Sequence, residues 1–170
     1  VREVAFWSRD YAERAARELN RKYGEGTVKV TIKESYRNIV NGQMKAFQSL
    51  KYRVVLEGSP KGTAAAIMLG SQFCNQSELV FVVTADNLIE GQEYKDAIIR
   101  AKELAKQGSI VALGVKPAKK NSNFGYLLRD EENVLKFIEK IRLDDDESFG
   151  YDDGFLWNSG MFLYRAGDLI

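Results

Sequence analysis

The chain of 170 residues contains no histidine, one cysteine and two prolines. Without histidine, a Ser-His-Asp triad, histidine general acid–base catalysis and histidine-ligated metal ions are excluded. The single cysteine, Cys74, excludes a disulfide within the chain, and its apolar neighbours in the sequence predict a small core residue. Any chemistry must therefore use carboxylates, lysines, backbone amides or a hard metal ion.

The chain also lacks an excess of charge and any long hydrophobic run. Lysine and arginine number 25 against 24 for aspartate and glutamate, which gives a net charge of +1. This balance does not favour nucleic acid or an anionic membrane as a partner, and no run of about 18 apolar residues indicates a transmembrane helix. A small molecule or a protein is the expected partner. A homo-oligomer is allowed by the sequence but not required.

The N-terminus, Val1-Arg2-Glu3-Val4, has neither an initiator methionine nor the features of a signal peptide. We therefore expect a fragment or a processed product. A lone cysteine fits a reducing compartment, so the cytoplasm is the expected location.

Apolar residues make up 45% of the chain, enough for one domain with a real core. Strand patterns and helix patterns alternate as far as Val115, which predicts an α/β fold with a mainly parallel sheet and right-handed crossovers. Beyond that point Phe124–Leu128 and Val134–Lys140 predict an antiparallel excursion, and Trp157–Tyr164 is the last predicted strand. The acidic run Asp144–Asp153 is interpreted as a solvated loop or a flexible insertion.

Two of the predicted helices have distinctive sequences. Asp10 and Glu13 form a capping box, which predicts a helix that continues to Tyr23. Thr63–Cys74 is almost entirely small and apolar, which predicts a helix buried on all sides.

Asp86 follows an unbroken run of five apolar residues, Leu79–Val83. Such a run predicts a strand buried on both faces, and ligands of open α/β sheets bind at the carboxyl ends of strands. A lone carboxylate there suits Mg²⁺, which often takes one or two carboxylates together with substrate phosphates. The alternative is that Asp86 caps a turn, and from the residues alone the two interpretations have about equal weight.

Two further segments could bind anions. The loop Glu57–Thr63 lies between a predicted strand and a predicted helix, whose free amides together with Lys61 could attract a phosphate. An ordinary strand–helix connection is roughly twice as favoured for this loop, and the order of a P-loop is absent. Glu139 and Lys140 end another apolar run, where they could bind sugar hydroxyls and a phosphate or form a surface ion pair.

Several stretches together resemble the mannose-1-phosphate guanylyltransferases. The segment 57–67 resembles their E-P-x-x-R-N-T-A-P-A-I, 82–89 resembles V-x-P-A-D-H-x-I, 124–126 resembles G-Y-G-Y, 134–140 resembles V-x-x-F-x-E-K-P, and 157–162 matches W-N-S-G-M-F. The resemblance is good from Arg53 to Ile170 and plausible from Thr31. It implies the nucleotide-diphospho-sugar transferase fold, a Rossmann-like three-layer α/β architecture.

The resemblance also implies a reaction and roles for individual residues. A nucleoside triphosphate, GTP by preference, would react with a sugar 1-phosphate, mannose 1-phosphate by preference, to give a nucleotide sugar and pyrophosphate. Asp86 and Lys140 would be the catalytic residues, with Asp86 as a Mg²⁺ ligand and Lys140 on the sugar phosphate. Glu139, the N–H of Gly125 and the side chain of Asn158 would form the sugar pocket.

The nucleoside would lie against the loop after the second predicted strand, with Glu57, Lys61, Gly62 and Thr63 as its candidate residues. By resemblance, residues 31–170 are the family-like core of a single partial domain. Residues 1–30 have no counterpart in the family motifs.

Departures from the family pattern leave alternatives open. Lys61-Gly62 stands where the family has R-N, Asn87 stands where it has His, and neither the Gly-rich opening G-G-x-G-x-R-L nor the second metal-binding Asp is found. The alternatives are a non-catalytic or regulatory homologue that binds a nucleotide sugar, and a glucose-1-phosphate thymidylyltransferase-like enzyme, which Asp86-Asn87 resembles. We expect the 170-residue chain alone to be weakly active or inactive.

Overall fold

The computed structural model describes residues 28–45, 52–59, 61–84, 91–118, 121, 123–139 and 154–169. The helix predicted between Asp10 and Tyr23 and the acidic run Asp144–Asp153 lie outside these residues, and so do Asp86 and Lys140. The chain divides into two compact units. One comprises Val1–Val111 with Phe162–Ile170, and the other comprises Ala112–Met161.

Strands and helices alternate as far as Val115, the order expected for an α/β protein, and three further strands follow before the last helix. The strands are β1 (Val28–Lys33), β2 (Tyr52–Glu57), β3 (Leu79–Val82), β4 (Val111–Val115), β5 (Tyr126–Asp130), β6 (Asn133–Ile138) and β7 (Phe155–Arg165). The helices are α1 (Arg37–Met44), α2 (Thr63–Ser71), α3 (Gln92–Lys106) and α4 (Ala166–Leu169). A short 3-10 turn, Glu34–Tyr36, precedes α1. Among the described residues, no helix is long and apolar enough to cross a membrane.

In the first unit β1 and β2 form a parallel pair, with partners from Val28 and Tyr52 to Lys33 and Glu57. The chain connects these two strands through α1, so the predicted parallel pairing is found here. The described ladders of β3, β5, β6 and β7 are antiparallel.

The helix α2 packs against β1 and β2 through small residues. A methyl group at Gly70 would lie 3.0 Å from Thr31 Oγ1, so a larger side chain would not fit without a shift. The prediction that this helix is buried on all sides is wrong, since Ala64 is exposed and Met68 is 48% exposed. Only one face of α2 meets the strands, and apolar composition by itself does not provide a second covering layer.

The strand β3 lies between two apolar clusters, as its continuous hydrophobic sequence predicts. Val80 and Val82 belong to one cluster with Tyr164 and Ala166. The other cluster consists of Ala101, Ala105 and Leu163, with Leu79, Phe81 and Val111 packed against it. Each buried valine contributes about 1.5–3 kcal/mol relative to an exposed one. The two faces of β3 are therefore both packed, and β3 pairs with the last residues of β7.

In the second unit β5 lies between β6 and β7, antiparallel to both. The turn between β5 and β6 contains Glu131 at a φ of 49°, and the register of this hairpin shifts between Leu128 and Arg129. The antiparallel excursion predicted after Val115 is thus confirmed. The strand β4 also pairs with β7.

Candidate functional site

The three predicted sugar-pocket residues lie in or directly next to three neighbouring strands of the second unit. Tyr126 of β5 pairs with Ile138 of β6 and with Trp157 of β7. In antiparallel pairs the two chains run in opposite directions. One step back from Tyr126 therefore places Gly125 opposite Glu139 on one side and Asn158 on the other. We refer to Glu139, Gly125 and Asn158 as the sugar row.

The middle of the sugar row is open because its central residue has no side chain. A methyl group at Gly125 would lie 3.8 Å from Glu139 Oε2 and 3.8 Å from the Cβ atom of Asn158. Asn158 N donates a hydrogen bond of 2.8 Å to the carbonyl oxygen of Gly125, which holds the two strands together at this point. The space that a side chain at Gly125 would occupy thus lies between the carboxylate of Glu139 and the side chain of Asn158.

The polar atoms of the sugar row divide into acceptors and donors. The N–H of Gly160 donates to Asn158 Oδ1 at 3.0 Å, which orients the carboxamide. Within the described residues, Asn158 Nδ2 has no hydrogen-bond partner and the N–H of Gly125 has no acceptor. The row therefore offers the exposed Glu139 carboxylate as an acceptor, and it offers the Gly125 N–H and Asn158 Nδ2 as donors. This set suits hydroxyl groups and phosphate oxygens.

Sequence reasoning missed the serine that follows Asn158. Ser159 Oγ donates to the carbonyl oxygen of Leu113 at 2.6 Å and accepts from the N–H of Met161 at 3.1 Å. Gly160 has a φ of 73°, which is the left-handed region that favours glycine. A glycine preceded by short polar residues inside an apolar strand is typical of a local irregularity of the strand backbone. This pattern could have indicated the role of Ser159 from the sequence.

An aromatic pair accompanies the sugar row. The ring centroids of Phe124 and Trp157 are 5.0 Å apart, with the ring planes at 45°. The Trp157 Nε1 atom is buried and has no hydrogen-bond partner among the described residues. Each of these aromatic residues directly precedes a member of the row, so the pair packs beside it.

The candidate nucleotide loop belongs to the first unit and connects β2 to α2. Glu57 ends β2 opposite Lys33, while Lys61, Gly62 and Thr63 are exposed. Gly62 precedes α2 with a φ of 89°, and its carbonyl oxygen accepts the first helical hydrogen bond, from Ala66 N at 3.2 Å. No side chain caps α2, so its first N–H groups can attract an anion next to the Lys61 ammonium.

An ion pair between Arg165 and Asp168 lies in the first unit at the end of β7. The Asp168 carboxylate accepts hydrogen bonds from Arg165 Nε at 3.1 Å and from Arg165 Nη2 at 2.8 Å. These hydrogen bonds, followed by the charge attraction of Asp168, raise the pKa of Arg165. The guanidinium therefore stays protonated and connects β7 to α4, which is a structural role.

The two predicted catalytic residues, Asp86 and Lys140, lie outside the described residues, which end at Thr84 before Asp86 and at Glu139 before Lys140. In the part of the chain that the structure describes, no group of three or more Cys, Asp or Glu residues could hold a metal ion. The Mg²⁺ assignment rests on Asp86 and stays a prediction.

Comparison with known proteins identifies the family. The sequence model of the family described as nucleotidyl transferase matches residues 16–170. A mannose-1-phosphate guanylyltransferase of Salmonella muenchen is 31% identical over 154 residues, which cover 83% of this chain and 32% of that protein. The corresponding enzyme of Escherichia coli K12 is 29% identical over 154 residues, with 81% and 32% covered. The chain thus spans about a third of the length of the curated relatives that it matches.

Solved structures share the fold. A Helicobacter pylori protein crystallised as a mannose-6-phosphate isomerase superposes with a TM-score of 0.78 at 31% identity, covering 94% of this chain and 61% of that one. A Thermus thermophilus protein described as a mannose-1-phosphate geranyltransferase gives a TM-score of 0.71 at 21% identity, with 92% and 48% covered, and supports the fold alone. The chain therefore belongs to the nucleotidyl transferase family, and it has the nucleotide-diphospho-sugar transferase fold.

Proposed function

We propose that the protein containing this chain transfers a nucleotidyl group from a nucleoside triphosphate to a sugar 1-phosphate. The observation that supports this most is the sugar row, in which Glu139 and Asn158 flank the open space above Gly125. A carboxylate acceptor and two donors around one space suit a ligand with several hydroxyl groups and a phosphate. GTP and mannose 1-phosphate are the proposed substrates, since the curated relatives are mannose-1-phosphate guanylyltransferases.

In the proposed reaction a phosphate oxygen of the sugar 1-phosphate attacks the α-phosphorus of the triphosphate. A P–O bond forms there, the bond from the α-phosphorus to the oxygen that bridges to the β-phosphate breaks, and pyrophosphate leaves with that electron pair. The attacking oxygen is already ionised at neutral pH, so the reaction needs no general base. A chain without histidine is adequate for this chemistry, because catalysis consists of positioning and charge stabilisation.

The two substrates would use residues of different units. In the second unit Glu139 would accept hydrogen bonds from sugar hydroxyls, while the N–H of Gly125 and Asn158 Nδ2 would donate to ligand oxygens. In the first unit the exposed Lys61 and the N-terminus of α2 would lie against the nucleotide, since both attract negative charge.

Mg²⁺ is the proposed cofactor, with Asp86 as its ligand. A carboxylate oxygen is a ligand that Mg²⁺ accepts, and the bound ion would offset charge on the phosphates. Lys140 would bind the phosphate of the sugar as a second cation. A cytoplasmic location and a homo-oligomeric state remain predictions from the sequence.

Pyrophosphate release tests the proposed substrates in the protein at its natural length. With Mg²⁺, the pair of GTP and mannose 1-phosphate should react at least about tenfold faster than dTTP and glucose 1-phosphate, because specificity is a difference in transition-state binding. The reverse preference would indicate a thymidylyltransferase. Tight calorimetric binding of GDP-mannose without any pyrophosphate release would instead indicate a non-catalytic binding homologue.

Replacing Asp86→Ala in the same protein should abolish Mg²⁺-dependent pyrophosphate release, because the proposed oxygen ligand is removed. The measurement is the initial rate at increasing Mg²⁺ concentration. Asp96→Ala is a matched control, since Asp96 is an exposed carboxylate on α3 that accepts a hydrogen bond of 2.8 Å from Gln92 Nε2. Unchanged turnover in the Asp86 variant would overturn the metal assignment.

A further inference from the structure

Three hydrogen bonds within the second unit hold the segment Asn158-Ser159-Gly160. Ser159 Oγ donates to the carbonyl oxygen of Leu113 on β4 at 2.6 Å. The same oxygen accepts from the N–H of Met161 at 3.1 Å. The third bond runs from the N–H of Gly160 to Asn158 Oδ1 at 3.0 Å. Each side chain of the segment thus bonds to the backbone N–H two residues further along.

These bonds determine what Asn158 can offer to a ligand. Gly160 lies in the left-handed region at a φ of 73°, and the N–H groups on both sides of its Cα atom are held, one by Asn158 and the other by Ser159. Because Asn158 Oδ1 accepts from Gly160, the carboxamide has one orientation in which Nδ2 remains as the available donor. The direction of the Gly160 N–H therefore sets the orientation of the Asn158 amide.

The serine also connects this segment to a neighbouring strand. The carbonyl oxygen that it bonds belongs to Leu113, which is 9% exposed and forms part of the buried core. A hydroxyl group that bonds a buried carbonyl on one strand and an N–H on another can make both bonds only in one side-chain rotamer. Ser159 therefore connects β4 to the backbone that orients Asn158.

We propose that Ser159 is a positioning residue for the sugar row. This inference rests on the proposed function, since it assumes that Asn158 binds the sugar 1-phosphate. The Ser159 hydroxyl would act through Asn158 and not on the substrate itself. It holds the N–H of Met161, keeps Gly160 in its left-handed conformation and thereby presents Asn158 Nδ2 as a donor.

The experiment compares two serine variants in the protein at its natural length. Ser159→Ala should raise the KM for mannose 1-phosphate at least about tenfold, as expected when a binding group is misoriented, and leave the KM for GTP within about twofold. Ser71→Ala is the matched control, because Ser71 Oγ also makes two hydrogen bonds, to the carbonyl oxygen of Ile67 at 2.8 Å and with Tyr164 Oη at 2.6 Å. Both KM values of the control should stay within about twofold of the unmodified protein.

Two further variants separate the possible outcomes. Ser159→Thr keeps the hydroxyl and should restore the KM for mannose 1-phosphate to within about threefold, whereas Asn158→Ala should raise it at least as much as Ser159→Ala does. If Asn158→Ala raises this KM and Ser159→Ala does not, the positioning role is wrong and the sugar row stands. If Asn158→Ala leaves the KM unchanged, the proposed sugar site itself is wrong. If Ser159→Ala and the control Ser71→Ala raise the KM for mannose 1-phosphate equally, the cause is general destabilisation and the positioning role is wrong.

Discussion

Gly125 shows how a single missing methyl group can create space for a ligand. Its φ is not in the left-handed region, in contrast to Gly62 at 89°, so the backbone does not require glycine at position 125. The nearest atom to an added methyl group would be the carbonyl oxygen of Ile138 at 3.3 Å, which is tight but can be relieved by a small shift. The reason for a glycine here is therefore the space between Glu139 and Asn158.

Replacing Gly125→Ala should weaken the binding of mannose 1-phosphate at least about tenfold. The added methyl group would occupy the space between the Glu139 carboxylate and Asn158, 3.8 Å from each. The free energy of unfolding should change by less than about 1 kcal/mol, because a small shift relieves the 3.3 Å approach to the carbonyl oxygen of Ile138. Isothermal titration calorimetry measures the affinity, and urea denaturation measures the stability. Wild-type affinity in a folded variant would show that the ligand does not approach Gly125.

At the scale of an element, β7 was predicted from Trp157 to Tyr164 and extends from Phe155 to Arg165. The apolar residues of β7 allowed the strand to be predicted from the sequence. The sequence did not predict which strands its two ends pair with. Residues 155–157 pair with β5, and residues 162–165 pair with β3. The middle of the strand carries Asn158-Ser159-Gly160, whose side chains bond to backbone instead of packing into a core.

The contact of β4 with β7 leads to a prediction about stability. Gly114→Ala should destabilise the protein by about 1–3 kcal/mol, because overpacking forces side chains or backbone to move. The added methyl group would lie 2.5 Å from Leu156 Cδ1 and 2.7 Å from its Cβ atom, which are too close for a real contact. Urea denaturation measures the loss.

Gly42→Ala is the matched control for this substitution. Gly42 lies in α1 with nothing within 4 Å of an added methyl group, and alanine favours a helix over glycine by about 1 kcal/mol. The control should therefore be as stable as the unmodified protein or more so. If both variants unfold at the same urea concentration, β4 and β7 are not packed as closely as described.

At the scale of the whole molecule, the candidate residues are divided between two units. The nucleotide loop belongs to the first unit, and the sugar row belongs to the second. The family model matches most of the chain, yet the chain spans about a third of the curated relatives. Binding of the sugar 1-phosphate can therefore need only this chain, while turnover can need a longer part of the protein.

The 170-residue chain alone should bind mannose 1-phosphate and release pyrophosphate weakly or not at all. The sugar row needs only strands of the second unit, whereas turnover needs the triphosphate held in line for attack. Calorimetry with mannose 1-phosphate and a pyrophosphate assay with GTP separate the two properties. The protein at its natural length is the control, and equal turnover by the two forms would contradict the prediction.

Sequence reasoning predicted the elements well where the pattern is local. The parallel strands β1 and β2, the buried strand β3 and the hairpin of β5 and β6 follow from apolar runs and turn residues, which act between near neighbours in the chain. The burial of α2 was predicted wrongly, because the apolar sequence of a helix does not determine how much of it other segments cover, and Met68 is 48% exposed. For Asp86 and Lys140 the sequence remains the source of the assignment.

The sequence by itself determined which chemical groups this chain contributes, namely carboxylates, amides and lysines without histidine, and which segments become strands. Only the tertiary structure decided which of these groups meet. Glu139, Gly125 and Asn158 form one row because the registers of β5 with β6 and with β7 place them opposite one another. The role of Ser159 likewise depends on Leu113, on a strand distant in sequence. The register of a strand pair and the contacts between its side chains depend on segments that are distant in sequence. A local sequence pattern therefore does not determine which residues lie opposite one another.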